Sequence, residues 1–253
     1  MHDEWLIMAK VFLAFALAVA GGVISVAVAV SHDRLCRLIS FAAGTLLGVA
    51  VFIIIPKSYE AIPLWHLAAG LISGYAVFFL ISKYIFHVCP ACAASHFDEA
   101  ATQRFSKIAA AMIIALGLHC IMDGLALAVG KSDEMMGSID GSLLLAICVH
   151  KVPEGLALGA LLLAAGFSRA ATIGLVAAVE STTILGGILG LWLLPQISTG
   201  WIYMVLAHAA GGFIFLAVHA VFGELVKHGK KIVLVSFTLG VAVIVVLHMA
   251  LHH

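Results

Sequence analysis

Residues 141–166 read GSLLLAICVHKVPEGLALGALLLAAG, an apolar run that carries His150, Lys151 and Glu154 near its middle. A helix that crosses the hydrocarbon core of a membrane needs about 20 apolar residues. Each charged side chain at the centre of such a helix costs about 2.5–3.5 kcal/mol on insertion scales, and charges found there commonly belong to a functional site. The stretch therefore predicts a transmembrane helix with a functional site halfway along it.

The rest of the chain has the composition of a membrane protein. Of its 253 residues, 64% are apolar and 10% are Asp, Glu, Lys or Arg, whereas a soluble domain has about 25% charged residues. The 13 basic and 13 acidic side chains balance, so the net charge gives no indication of nucleic-acid binding. The apolar runs are long and continuous, which predicts helices, because the strands of a membrane barrel would alternate apolar and polar residues.

We expect an all-α membrane protein with eight transmembrane helices in a single domain, 1–253, with a cytoplasmic loop at about 87–106. The expected spans are 6–30, 36–56, 64–86, 107–130, 141–166, 169–194, 201–224 and 231–251. If the N-terminus lies outside, nine Lys and Arg residues fall on the cytoplasmic side and three on the outer side. This excess agrees with the positive-inside rule, so both termini are expected outside.

The fourth and fifth spans carry the same motif. It reads His119-x-x-x-Asp123-Gly-Leu-Ala-Leu in one and His150-x-x-x-Glu154-Gly-Leu-Ala-Leu in the other. Residues four apart share a helix face, so two facing helices would offer two imidazoles and two carboxylates, a ligand set that suits Zn²⁺. Pro153 leaves the Val149 carbonyl without its helical donor, which predicts a kink beside the site. The alternative interpretation is hydrogen-bonded polar contact between helices.

Three further polar residues lie beside this motif. Lys151 follows His150, and its ammonium would repel a second cation. Glu180 in the sixth span is its expected ion-pair partner, with direct metal ligation as the alternative. Cys120 follows His119 as Lys151 follows His150, and it is either a thiolate ligand or a small buried residue.

Other candidate residues lie further from the motif. His87, Cys89, Cys92 and His96 in the cytoplasmic loop have spacing compatible with weak metal capture; an unoccupied thiol pair is the alternative. His208 and His219 share a face of the seventh span, which Glu224 ends, and these residues are candidates for an exit relay or for single hydrogen-bonded histidines. The acidic outer loop that includes Asp133, Glu134 and Asp140 is a candidate entrance.

These motifs resemble those of the ZIP (Zrt/Irt-like) family of divalent metal transporters. The run from His150 to Gly155 carries most of the resemblance, and His119-x-x-x-Asp123-Gly124 supports it. The resemblance implies an inverted-repeat bundle whose central helices four and five hold the primary metal site, on His119, Asp123, His150 and Glu154. It also implies a sliding movement, called an elevator, of spans one, four, five and six against spans two, three, seven and eight.

Some members of that family hold a second, adjacent metal, and its positions here are Cys120, Lys151 and Glu180. Because Lys151 puts a cation in place of a ligand, we expect a single metal with the ammonium standing in for the second. The end of span two also departs from the family pattern, since Ile53 to Lys57 replace a His and an acid found in several members.

The expected function is transport of Zn²⁺, or of Fe²⁺, Cd²⁺ or another late divalent metal, across the cell membrane into the cytoplasm. The metal is the transported substrate, and no enzymatic activity, organic cofactor or nucleic-acid partner is expected. The expected partners are divalent metal ions and the lipid bilayer, and a homodimer is left open. Two alternatives are an intramembrane metal-dependent hydrolase and a proton or organic-solute transporter with His–carboxylate relays.

Overall fold

A computed structural model describes residues 2–28, 32–80, 83, 102–128, 137–193, 196, 198–227 and 230–251. Within these ranges the chain is helical, with no β-strand. The α-helices are α1 (His2–Ala27), α2 (His32–Val49), α3 (Ile55–Ala61), α4 (Leu64–Leu80), α5 (Thr102–Ala128), α6 (Gly137–Ala164), α7 (Arg169–Leu193), α8 (Thr199–Lys227) and α9 (Lys230–Leu251). The all-α prediction is confirmed for this part of the chain.

Helices α2 and α3 form one continuous rod, joined by a π-helical turn over Ala50–Ile54. Pro56 lies at the start of α3 and cannot donate a backbone hydrogen bond to the preceding turn. The wider π turn lets the Ile55 N–H reach the Ala50 carbonyl, so the helix continues to Ala61. The second span therefore runs five residues beyond the end at residue 56 that was predicted from the sequence.

Six of the helical segments are long and apolar enough to cross a membrane. They are Glu4–Ala27, Arg37–Ala61, Leu143–Leu163, Arg169–Leu193, Thr199–His219 and Lys231–Ala250. The third and fourth predicted spans appear within the described residues as shorter apolar segments, Leu64–Leu80 and Leu116–Ala128. The chain is thus an integral membrane protein. Most of the loop predicted at 87–106 lies outside the described residues, and its last five residues already belong to α5.

The helices pack as two groups. Helices α1, α5, α6 and α7 pack mainly against one another, and the α2–α3 rod, α4, α8 and α9 do the same. The main contact between the groups is made by α2 and α6. Both motif-bearing helices, α5 and α6, belong to the first group and face the second.

Pairs of glycines make the closest helix crossings inside each group. A Cβ added at Gly124 would overlap the Thr183 carbonyl of α7, and a Cβ at Gly155 would overlap the Ala18 carbonyl of α1. On the facing helices, Gly186 of α7 lies opposite Gly124, and Gly21 of α1 lies opposite Gly155. The second group has two similar glycine pairs, Gly44 with Gly240 and Gly74 with Gly211. Small residues let helix backbones approach in this way. The glycine after each motif carboxylate therefore fixes α5 or α6 against its neighbour.

A large apolar cluster fills the space between the two groups beside the N-terminal half of α6. It joins Leu127, Leu143 and Ile147 of the first group to residues of the second that include Ile53, Ile54, Leu206 and Phe213. Ile53 and Ile54 belong to the π turn. The π turn therefore contributes to the apolar contact between the two helix groups.

Candidate metal site

The two copies of the motif face each other across the contact between α5 and α6. His119 and Asp123 lie one turn apart on α5, and His150 and Glu154 lie one turn apart on α6, as the four-residue spacing requires. Asp123 is fully buried, and the side chains of the other three residues are at most 7% exposed. Four polar side chains thus converge inside an apolar bundle.

The distances among the four donor atoms suit a small tetrahedral ion. Asp123 Oδ2 lies 3.3 Å from His119 Nε2 and 3.2 Å from His150 Nε2. Glu154 Oε2 lies 3.7 Å from His119 Nε2 and 3.4 Å from His150 Nε2. Ligand atoms that stand about 2.0–2.1 Å from a zinc ion are about 3.3–3.4 Å apart at the corners of a tetrahedron. The four nitrogen-to-oxygen distances are therefore compatible with the tetrahedral geometry that Zn²⁺ takes in proteins.

The hydrogen bonds around the four residues leave lone pairs directed at one another. His150 Nδ1 lies 2.9 Å from the Ala146 carbonyl, so a neutral His150 donates there and turns the lone pair of Nε2 toward Asp123. Asp123 Oδ1 and Glu154 Oε2 are buried and have no hydrogen-bond partner within the described residues. Acceptors that face each other in a buried site need a shared cation, either a proton or a metal ion.

A second cluster lies beside the first and shares Glu154 with it. Lys151 is fully buried, and its Nζ donates to Glu154 Oε1 at 2.9 Å, Glu180 Oε2 at 3.1 Å and Cys120 Sγ at 3.1 Å. The ion pair expected between Lys151 and Glu180 is present. Cys120, Glu154 and Glu180 are close enough together to hold an ion, but here they surround the ammonium.

Two contacts at the site were not predicted from the sequence. One is the 3.0 Å approach of Lys151 Nζ to Asp123 Oδ2, which ties the ammonium to the first cluster as well. The other is an aromatic cover from the second helix group. The rings of Phe78 on α4 and Phe213 on α8 lie 6.0 and 6.3 Å from the His119 ring, centroid to centroid. Phe78 follows Gly70 and Gly74 at four-residue steps, a spacing that could have placed it on the α8-facing side of α4.

Of the remaining candidates, His208 and His219 lie within the described residues and join neither cluster. His208 Nδ1 lies 2.8 Å from Ser73 Oγ, and the His219 ring stacks on Phe215 at 3.9 Å, so each histidine has its own separate contact. His87, Cys89, Cys92 and His96 lie outside the described residues, as do Asp133 and Glu134. Helix α6 continues through Pro153 from Gly137 to Ala164, and the kink beside the site stays a prediction.

The chain matches a known protein family. The family model described as ZIP zinc transporter matches residues 89–248, about three fifths of the chain. The matched segment includes α5 and α6, which carry both copies of the motif. A search of curated proteins found no match to this chain.

Proposed function

Since the chain belongs to the ZIP zinc transporter family and is therefore a divalent metal transporter, we propose that its substrate is Zn²⁺ and that the ion moves into the cytoplasm through the site formed by His119, Asp123, His150 and Glu154. The observation that carries the proposal is the convergence of two imidazole nitrogens and two carboxylate oxygens, with nitrogen-to-oxygen distances of 3.2–3.7 Å. Two imidazole nitrogens favour zinc and other late divalent metals over Mn²⁺.

The charge around the site supports a divalent substrate. Asp123, Glu154 and Glu180 supply three carboxylates, and Lys151 supplies one ammonium. With the histidines neutral, the formal charge is −2, and one divalent cation cancels it. Burying a net charge in a low-dielectric interior is costly, so a monovalent ion would be held less favourably. A single divalent ion is the proposed cargo, with Lys151 in place of a second metal.

The transport movement that we propose is a slide of α1, α5, α6 and α7 against the α2–α3 rod, α4, α8 and α9. The packing of the helices into these two groups supports it. The ligands all lie on the first group, and Phe78 and Phe213 of the second group cover their rings. A slide would therefore carry the ion away from its aromatic cover without taking the ligand set apart.

The orientation and compartment are also part of the proposal. The distribution of Lys and Arg supports a cytoplasmic loop between α4 and α5 and both termini outside. The cell membrane is the proposed location. Membership of the family argues against the hydrolase alternative, since ZIP proteins are transporters rather than enzymes.

Competitive uptake in liposomes tests the substrate. Purified protein in vesicles that contain a zinc-responsive dye should take up Zn²⁺ faster than protein-free vesicles do. Co²⁺ and Cd²⁺ in excess should compete, whereas Mn²⁺ should compete weakly. Asp123→Asn is the matched variant, because it nearly keeps the shape of the side chain and removes its charge. Uptake equal to that of protein-free vesicles for every divalent ion would contradict the proposal.

A further inference from the structure

The ammonium of Lys151 is held in one position by several partners. Its three protons lie among four acceptors: Glu154 Oε1 at 2.9 Å, Asp123 Oδ2 at 3.0 Å, and Glu180 Oε2 and Cys120 Sγ at 3.1 Å each. Glu180 lies on α7 and Cys120 on α5, so three helices of the first group fix the Nζ atom. A buried ammonium that is paired with three carboxylates is strongly disfavoured from leaving them.

The two oxygens of the Glu154 carboxylate therefore have different surroundings. Oε1 accepts a hydrogen bond from Lys151 Nζ at 2.9 Å and lies 3.2 Å from Cys120 Sγ, which also donates to it. Oε2 faces the two imidazoles and has no hydrogen-bond partner within the described residues. An ion between the histidines meets Oε2 alone, while Oε1 stays with Lys151. Glu154 is thus a ligand with one available oxygen.

The number of donor atoms follows from this difference. His119 and His150 supply one nitrogen each, Asp123 supplies Oδ2, and Glu154 supplies Oε2. Zinc is satisfied by four N and O donors in a tetrahedron. Mn²⁺ and Ca²⁺ prefer about six or more donors, mostly oxygens. A Glu154 that binds through both oxygens would add a fifth donor, and Lys151 would then have to release Oε1.

We infer that Lys151 determines the metal selectivity of the site, because its hold on Glu154 Oε1 keeps Glu154 to one donor oxygen and so favours Zn²⁺ over Mn²⁺. The inference rests on the proposed function of the site as a transport site. It concerns which ion is chosen, whereas the ligands decide whether any ion is carried.

A charge-matched pair of changes isolates this role. Lys151→Met/Glu180→Gln removes one positive and one negative charge, so the formal charge of the site and its four ligand residues stay the same. Glu180→Gln alone is the control, because Lys151 then still holds Glu154 Oε1. Partners that orient a metal ligand typically change metal affinity by about 10- to 100-fold when they are lost. In the double variant, the Mn²⁺ concentration that halves Zn²⁺ uptake should fall by about tenfold or more relative to wild type, and in the control it should not.

Cobalt spectra provide a measurement that does not depend on transport. Four-coordinate Co²⁺ absorbs visible light far more strongly than six-coordinate Co²⁺. Purified protein with Cys89→Ser and Cys92→Ser should show the strong bands, and adding Lys151→Met/Glu180→Gln should weaken them. An unchanged Mn²⁺-to-Zn²⁺ ratio in a double variant that still carries Zn²⁺, or weak six-coordinate bands before Lys151 is changed, would overturn the inference. Absence of any metal uptake by wild type would instead contradict the proposed function.

Discussion

The two polar clusters at the centre of the molecule differ by one residue along each motif-bearing helix. His119 and His150 begin the first cluster, and the next residues, Cys120 and Lys151, belong to the second. One step along a helix turns the side chain by about 100°, so the same two helices form two separate pockets. In the first pocket lone pairs face each other, and in the second an ammonium satisfies them. In the proposed function, Lys151 is therefore the residue that keeps a second metal ion out of the second pocket.

The shared residue connects the two pockets electrostatically. Glu154 gives one oxygen to each cluster, and Lys151 also lies 3.0 Å from Asp123 Oδ2. A buried charge is tolerated when it is paired and hydrogen-bonded, and removing one member of such a group is strongly destabilising. Changes in the first cluster should therefore abolish metal binding, whereas changes in the second should alter how the ion is bound.

The largest effect is expected from removing a ligand of the first cluster. A change of His119, Asp123, His150 or Glu154 individually to Ala removes one of four donor side chains from a site where each is at most 7% exposed. Zn²⁺ uptake at limiting metal should fall by more than the roughly 100-fold that loss of an outer partner can cost. Uptake should be normalised to the amount of protein in the membrane.

A matched histidine on α4 serves as the control for these variants. His66 stacks on Trp65 near the start of α4, about 18 Å along the helix from Phe78. His66→Ala should keep uptake within about twofold of wild type, since distant sites act independently. Near-normal uptake by the His119→Ala and Glu154→Ala variants would show that the first cluster is not the transport site.

A pH titration tests whether the histidines of the first cluster bind the metal ion. The ligand imidazoles must be neutral to bind a metal ion, so protons and metal compete for the same lone pairs. Free imidazole has a pKa of about 6.5, so the apparent affinity for Zn²⁺ should fall by about 10- to 100-fold between about pH 7.5 and about pH 5.5. Affinity that stays flat over this range in zinc-binding titrations would argue against histidine ligation.

Much of this site could be predicted from the sequence because its features are local. The four-residue spacing of His119 and Asp123 fixes their common face, and the repeated motif predicts two helices that meet. The continuous apolar runs likewise predict the all-helical fold. Each of these features depends only on the residues of one helix.

The remaining features depend on how distant helices pack. The contact of Lys151 with Asp123 needs the relative rotation of α5 and α6. The aromatic cover by Phe78 and Phe213 comes from helices of the other group. The extension of the second span beyond Pro56 needs a π turn that has no sequence signature of its own. These features are tertiary, and single-helix patterns do not contain them.

The charges of the second cluster give the next largest effect. Lys151→Met should reduce Zn²⁺ uptake by about tenfold, because Glu154 and Glu180 then lose their buried counter-charge. Lys151→Met/Glu180→Gln should recover part of that loss, since it removes both charges together. Strictly additive effects of the two changes in a double-mutant cycle would show that the residues do not act as a pair.

The number of metal ions bound per protomer tests directly whether Lys151 takes the place of a second ion. Wild type should bind one ion per protomer in the membrane site, and Lys151→Asp should bind two, because the new carboxylate joins Cys120 and Glu180. The count is made on protein with Cys89→Ser and Cys92→Ser, which removes the loop thiols. Two tightly bound ions in the membrane site before Lys151 is changed would contradict the single-metal interpretation.

The smallest effect is expected from Cys120, and it tests whether sulfur belongs to the metal site. Cys120 Sγ contacts Lys151 Nζ, Glu154 Oε1 and Glu180 Oε2, all of which are polar atoms of the second cluster. Sulfur forms weak hydrogen bonds, and the ammonium keeps its carboxylate partners without it. Cys120→Ala should therefore change Zn²⁺ uptake by less than about threefold, the range of one weak hydrogen bond. If Cys120 were a thiolate ligand, the loss would match that of His150→Ala, and cobalt-loaded protein would show a sulfur-to-metal charge-transfer band that disappears in the Cys120→Ser variant. We expect no such band in protein that lacks Cys89 and Cys92, so that nitrogen and oxygen alone bind the ion.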